Sequence, residues 1–222
     1  MKFDPAVLAR YFVCGTQDVV NETVFFDVLT QALQSGITLF QYREKGPGAL
    51  TGKDKLRVAQ QVRDLTQQYD VPLIIDDDVV LAHAVHADGV HFGQEDGEPA
   101  ENIQTAGNLV VGISVSNQQE YARIAHLAGI DHIGVGPFYP TTSKADAKPA
   151  IGVTGLQTLV ATSQWPSVAI GGIQTDNLAA VLATGVDGAA VISMISQSQN
   201  IAATLAFWQQ ITTKKRAIRL FF

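Results

Sequence analysis

The chain alternates between two kinds of apolar segment. Short runs rich in Val, Ile and Phe recur near 11–15, 37–43, 72–76, 89–93, 109–114, 132–136, 167–171 and 188–193. These runs are continuous rather than alternating in polarity, as strands of a parallel sheet covered on both faces must be. Between them, stretches near 22–35, 52–69, 78–85, 99–106, 117–128, 153–162, 175–184 and 199–213 carry apolar residues at helical spacing among many Ala, Leu and Gln. The punctuation agrees. Ser35-Gly36, Asp88-Gly89, Ala128-Gly129 and Thr184-Gly185 stand where helices should stop and strands begin, and Asn117, Thr154 and Thr175 where helix N-caps are expected. Eight strands alternating with eight helices in 222 residues predict an α/β fold, a single-domain (β/α)8 TIM barrel over 1–213, with a basic C-terminal tail over 214–222. An open doubly wound sheet usually has fewer strands, and the first strand–helix turn, Cys14-Gly15-Thr16-Gln17, lacks the GxGxxG of dinucleotide-binding folds.

Composition narrows the function classes. With 46% hydrophobic and 16% charged residues the chain can build a large core. A net charge of −6 argues against a general nucleic-acid binder, though not against a local basic site for a phosphorylated small molecule. The single cysteine, Cys14, permits no internal disulfide, fits a reducing cytoplasm and reads as a small buried hydrophobe. Met1-Lys2-Phe3-Asp4-Pro5 places an acid and a proline where a signal peptide needs an apolar run. No apolar stretch approaches the ~20 residues of a membrane helix. The expectation is a cytoplasmic protein without nucleic-acid or membrane partners. Homo-oligomerisation is left open.

A barrel of this kind keeps its active site at the C-terminal ends of the strands. The second strand ends in Gln41, Arg43 and Lys45, which alternation places on one face. An amide and two cations there make an anion clamp, and Arg can grip phosphate with two hydrogen bonds. The third strand ends in Asp76-Asp77-Asp78, and the fourth leads into Glu95 and Asp96. Adjacent acids repel, so something must compensate them. A magnesium ion shared with substrate phosphates would do so, whereas caps and first-turn acids of the next helix would explain one or two of them. The seventh strand ends in Gly171-Gly172 and the eighth in Ile192-Ser193, where barrels often bind phosphate on bare backbone N–H groups. The sixth strand leads into a hydroxyl-rich segment with Thr141, Thr142, Ser143 and Lys144, which reads as a substrate loop. His83 and His86 lack metal-site partners. His91 lies near the mouth, where contact with substrate and a hydrogen-bonded core role are both open. No nucleophile–base pair stands out.

Taken in order, Gln41–Lys45, Ile74–Asp78, Ala87–Asp96, Gly112–Ser114, Ile133–Lys144, Ile170–Ile173 and Val191–Ser193 resemble the thiamine phosphate synthase family from the first strand to the eighth. The Gln41–Arg43–Lys45 segment, the Gly-Gln-Glu-Asp turn at 93–96 and the Pro-Thr-Thr-Ser-Lys run at 140–144 are specific together, though none is so alone. The resemblance implies a (β/α)8 transferase that joins 4-amino-5-hydroxymethyl-2-methylpyrimidine diphosphate to 4-methyl-5-(2-hydroxyethyl)thiazole phosphate, releasing pyrophosphate. It implies that Gln41, Tyr42, Arg43, Glu44, Lys45, Asp76, Ser114 and Lys144 hold the pyrimidine diphosphate. Arg43, Lys45 and Lys144 would be its catalytic cations. Thr141, Thr142, Ser143, Gly171, Gly172, Ile192 and Ser193 would hold the thiazole phosphate, and Asp77 and Asp96 one Mg²⁺. Two residues depart from the family pattern. Asp76 stands where asparagine is usual, which suggests a heavier magnesium dependence, and Ser143 where threonine is frequent. A thiazole tautomerase needs no pyrophosphate clamp. A sugar-phosphate or tryptophan-pathway isomerase would leave the acids unexplained, and a non-catalytic sensor of thiamine phosphates would show no turnover.

Overall fold

The computed structural model describes residues 3–141 and 148–219, with side chains to 213. Eight parallel strands close into one barrel, each hydrogen-bonded to the next and β8 back to β1. They are β1 (Arg10–Cys14), β2 (Leu39–Tyr42), β3 (Leu73–Asp76), β4 (Gly89–Phe92), β5 (Val110–Val115), β6 (His132–Val135), β7 (Ser167–Ile170) and β8 (Gly188–Val191). The helices between and after them are α1 (Glu22–Gln34), α2 (Gly52–Gln68), α3 (Val79–Ala84), α4 (Pro99–Ala106), α5 (Gln118–Ile124), α6 (Gly152–Thr162), α7 (Leu178–Ala183), α8 (Ser193–Ser196) and α9 (Ile201–Arg219). The predicted barrel is therefore the observed one.

Alternation along each strand divides the core in two. Phe40, Tyr42, Leu73 and Ile75 face outward into the layer under the helices, where Phe25, Leu29, Val58 and Val62 meet them. Leu39, Val13, Tyr11, Ile74, Val110 and Val168 face into the barrel. A 3-10 turn at Pro5–Ala9, not foreseen from the sequence, plugs the lower end with Leu8. It fits because Gly188 has no side chain, as a Cβ there would strike the Leu8 carbonyl.

The lower rim is clamped by a repeated device. Thr38, Asp88, Asp131 and Asp187 immediately precede the even-numbered strands, and each exchanges two hydrogen bonds with the strand before. Their side-chain oxygens accept the N–H groups of Arg10, Leu73, Val111 and Ser167 at 2.8–2.9 Å. Their own N–H groups donate to the carbonyls of the same four residues at 2.8–2.9 Å. Two positions earlier the backbone always turns through positive φ, at Gly36, His86, Gly129 and Gly185. Asp88-Gly89 is thus a strand clamp as well as a helix stop.

Several boundaries differ from expectation. Thr154 lies inside α6, because Ile151 and Gly152 donate their N–H groups to the Pro137 and Phe138 carbonyls and set the helix start earlier. Thr175 lies in a turn before α7, whose cap is Asn177. That side chain accepts from the Gln174 N–H and donates to the Gly172 carbonyl, which holds 173–176 against the glycine turn. The stretch predicted as helix over 117–128 stops at Ile124. Asn117 caps α5 as expected, accepting from the Glu120 N–H at 2.9 Å.

Candidate active site

A cavity of about 340 Å³ opens at the C-terminal ends of the strands. That volume lies within the range of small-molecule sites. On its β2–β4 side Asp76, Asp77, Asp78 and Asp96 are paired with cations. The Asp76 carboxylate lies 3.3 Å from Arg43 Nε, with both side chains more than nine-tenths buried. The Asp77 and Asp96 carboxylates both meet the Lys45 ammonium, at 2.7 and 2.5 Å. Burial alone would lower the Lys45 pKa, but these two hydrogen bonds outweigh it and hold the group protonated. Asp78 caps α3 through the Leu81 N–H and pairs with Lys55 at 2.8 Å. The repulsion implicit in three adjacent acids is thus relieved by three side-chain cations. Asp77 sits at φ +53°, which turns the chain sharply at the end of β3.

The opposite side is backbone. Gly171 and Gly172 have φ of +94° and +66°, a region that favours glycine. A Cβ on either would also run into Pro137 or Tyr139. The turn presents bare backbone to the cavity beside Ile192 and Ser193. Ser193 opens the short helix α8, so the predicted eighth strand stops at Val191 and the chain coils immediately. Between the two sides, Ser114 of β5 lines the wall, its Oγ 2.8 Å from His91 Nε2. Gln94 donates to the Ser114 carbonyl at 2.7 Å. Lys148 closes the rim, its ammonium 2.7 Å from a Glu120 carboxylate that also accepts the Ser116 N–H. Against burial, which raises it, these bonds hold the Glu120 pKa below the usual carboxylate range.

The Arg43 and Lys45 cations, the Asp96 carboxylate and the Gly171-Gly172 turn therefore share one chamber. A sequence model of thiamine monophosphate synthase matches residues 10–195. The chain belongs to the thiamine monophosphate synthase family. It is 67% identical over 212 residues to a thiamine-phosphate synthase of Leuconostoc citreum, covering 96% of this chain and all of that one. It is 49% identical over 206 residues to one of Lactiplantibacillus plantarum, covering 92% and 94%. A solved thiamine phosphate pyrophosphorylase from Pyrococcus furiosus superposes with a TM-score of 0.83 at 32% identity, over 95% of this chain and 98% of that one.

Within this thiamine monophosphate synthase barrel the expected residues separate into groups. Arg43, Lys45, Asp76, Asp96, Ser114, Thr141, Gly171, Gly172, Ile192 and Ser193 line the cavity. Asp77 stands behind Lys45. Thr142, Ser143 and Lys144 lie outside the described residues. Gln41 faces into the barrel, its amide donating to the Tyr11 hydroxyl at 2.7 Å. Tyr42 and Glu44 are not where substrate contact requires. Strand alternation turns Tyr42 outward onto Phe25, ring centroids 6.0 Å apart. The Glu44 carboxylate is taken up by the Thr16 N–H and hydroxyl and by the Leu50 N–H. Gln94, Ser116 and Lys148 line the cavity and were not anticipated. The Gly-Gln-Glu-Asp turn marked Gln94, but nothing local marked Lys148, which reaches the site by the fold alone. His91, left open between two roles, both lines the cavity and is hydrogen-bonded within the barrel.

Among the described residues no three His, Cys, Asp or Glu side chains form a metal cage. Asp77 and Asp96 nevertheless converge on one cationic point. That donor set suits Mg²⁺, which takes one or two carboxylates and completes its shell with water and phosphate oxygens. Among the described residues no helix is long and apolar enough to cross a membrane.

Proposed function

We propose that this chain makes thiamine phosphate from the pyrimidine diphosphate and the thiazole phosphate, with the pyrimidine partner on the β2–β5 side of the chamber and the thiazole phosphate on the β7–β8 side. The observation that carries this reading is the sharing of one 340 Å³ cavity by the Arg43–Lys45 clamp and the Gly171-Gly172 turn. A one-phosphate isomerase would need only the second.

In this reading Arg43 and Lys45 bind the diphosphate. As the bond between the pyrimidine methylene and the diphosphate oxygen breaks, the electron pair leaves on pyrophosphate, and both cations stabilise the growing charge. Fixed charges in a partly dry cavity do this better than water, because they need no reorganisation. Lys144 joins them. The electron-poor methylene carbon left on the pyrimidine is then taken by the lone pair of the thiazole nitrogen, forming the C–N bond. Thr141, Thr142 and Ser143 would contact the thiazole phosphate, whose phosphate the backbone N–H groups of Gly171, Gly172, Ile192 and Ser193 hold so that the nitrogen points at that carbon. Gln41 and Ser114 orient the pyrimidine. No protein nucleophile takes part. Asp77 and Asp96 would hold one Mg²⁺, which supplies charge neutralisation at the leaving pyrophosphate when bound. A cytoplasmic location completes the proposal.

The experiment is thiamine phosphate formation from the two purified precursors with Mg²⁺ and with EDTA. Product that appears with Mg²⁺ and is lost with EDTA is the expected result. Absence of product while the thiazole phosphate still binds would overturn the synthase reading and leave a phosphate-binding barrel.

A further inference from the structure

Beneath the cavity the barrel holds a polar ring that the reaction does not use. His132, the first residue of β6, is fully buried, and neither of its ring nitrogens has a hydrogen-bond partner among the described residues. Burial pushes its pKa down to about 4, so the ring is neutral at pH 7. Its faces and edges are used instead. Phe3 stacks on it, ring centroids 5.5 Å apart and planes 18° apart. Tyr11 meets it edge-on at 6.2 Å, and His91 leans against it at 5.5 Å.

Those last two neighbours reach upward to different walls. The Tyr11 hydroxyl accepts from the Gln41 amide at 2.7 Å, and His91 Nε2 is bonded to Ser114 Oγ at 2.8 Å. Gln41 belongs to β2 and Ser114 to β5, three strands apart around the barrel. One ring therefore underlies the hydrogen-bond partners of both. The space is reserved in the backbone, since a Cβ on Gly112 of β5 would collide with the His91 and His132 rings together.

We propose that His132 is a positioning residue which, through Tyr11 and His91, fixes Gln41 and Ser114 against the pyrimidine diphosphate. This rests on the reading that those two side chains hold that substrate. His132 acts by shape, as a rigid plate. Another flat aromatic ring serves in its place, whereas a branched aliphatic side chain lets Tyr11 and His91 settle. Displacements of about 1 Å at a distance from the chemistry can cost up to 10²-fold in rate.

The test is steady-state kinetics with each substrate varied in turn. His132→Leu is expected to raise KM for the pyrimidine diphosphate about fivefold or more, with KM for the thiazole phosphate within about twofold of the parent. His132→Phe is expected to restore both. Tyr11→Phe, which removes only the hydroxyl on Gln41, should reproduce the one-sided rise and serves if His132→Leu does not fold. A purely structural His132 would lower Tm without separating the two KM values. Equal KM changes for both substrates, no change in His132→Leu, or no rescue by His132→Phe would each overturn the inference. Gln41→Ala and Ser114→Ala are measured beside them. If these raise the pyrimidine KM while the His132 variants are silent, the inference alone falls. If these too are silent, it falls together with the substrate placement.

Discussion

Asp76→Asn tests how the anion clamp is held ready. In the free protein Arg43 is buried against the Asp76 carboxylate at 3.3 Å. With an effective dielectric of about 20, that separation corresponds to ~5 kcal/mol of gross attraction. Removing one partner of a buried pair typically costs about 3–5 kcal/mol, because the remaining charge is stranded. An asparagine oxygen can still accept from Nε, so roughly half of that loss is expected, about 2 kcal/mol. In a protein of this length it lowers Tm by about 4–8 °C. The stranded guanidinium then seeks another anion. Pyrophosphate should bind the variant about tenfold more tightly than the parent, a gain of about 1.4 kcal/mol. On this prediction Asp76 and the diphosphate compete for Arg43, and Asp76 acts as a brake on diphosphate affinity. Thermal unfolding with and without pyrophosphate, together with calorimetric titration, measures both effects. A lower Tm with an unchanged pyrophosphate Kd would refute the competition. An unchanged Tm would refute the energetic importance of the pair. The magnesium concentration for half-maximal rate, read from the same preparations, should move less than threefold if the Arg43 pairing is what compensates Asp76.

Three further outcomes follow from the same geometry. Lys45→Met removes the ammonium between Asp77 and Asp96, so turnover should fall about 10²–10³-fold. The Tm gain on adding Mg²⁺ to the free protein should meanwhile grow, since two carboxylates lose their internal cation; a smaller Mg²⁺ gain would argue against the paired metal site. Asp187→Ala strands the Ser167 N–H at the barrel floor and should cost about 1–3 kcal/mol, seen as a lower midpoint in urea with activity retained below the transition. An unchanged midpoint would show the clamp to be ornamental. For His132, the unfolded chain takes up a proton near the ordinary histidine value, while the folded protein refuses it until about pH 4. Stability is therefore lost as pH falls between these two values, by at most about 3 kcal/mol from this group. His132→Phe should flatten the Tm–pH profile over that window, and a profile parallel to the parent's would show that the ring is not held neutral.

The parts of this molecule legible in the sequence are those where a local pattern has one physical cause. Continuous apolar runs mean strands buried on both faces, and eight of them in alternation with helices leave little besides a barrel. Alternation likewise put Gln41, Arg43 and Lys45 on one face. Applied strictly, it would also have excluded Tyr42 and Glu44, which the contiguous family segment carried onto the substrate list. Asp76–Asp78 shows the reverse limit. Three acids in a row announce that cations are near, but not which cations, because Lys55 arrives from α2 and Arg43 and Lys45 from the neighbouring strand. Lys148 and His132 carried no readable signal. One reaches the rim across a loop, and the other matters only because barrel closure brings β1, β4 and β6 around a common axis. The lower clamps fall between these cases. A left-handed turn, one apolar residue, then Thr or Asp recurs at Gly36-Ile37-Thr38, His86-Ala87-Asp88, Gly129-Ile130-Asp131 and Gly185-Val186-Asp187. The repeat is present in the sequence, yet its meaning depends on the strand N–H group that each side chain finds. The two ends of the barrel therefore divide the work. The lower rim repeats one device four times because it only has to hold strands together, whereas at the upper rim, where a barrel of this kind keeps its active site, the acids, cations and glycines each differ.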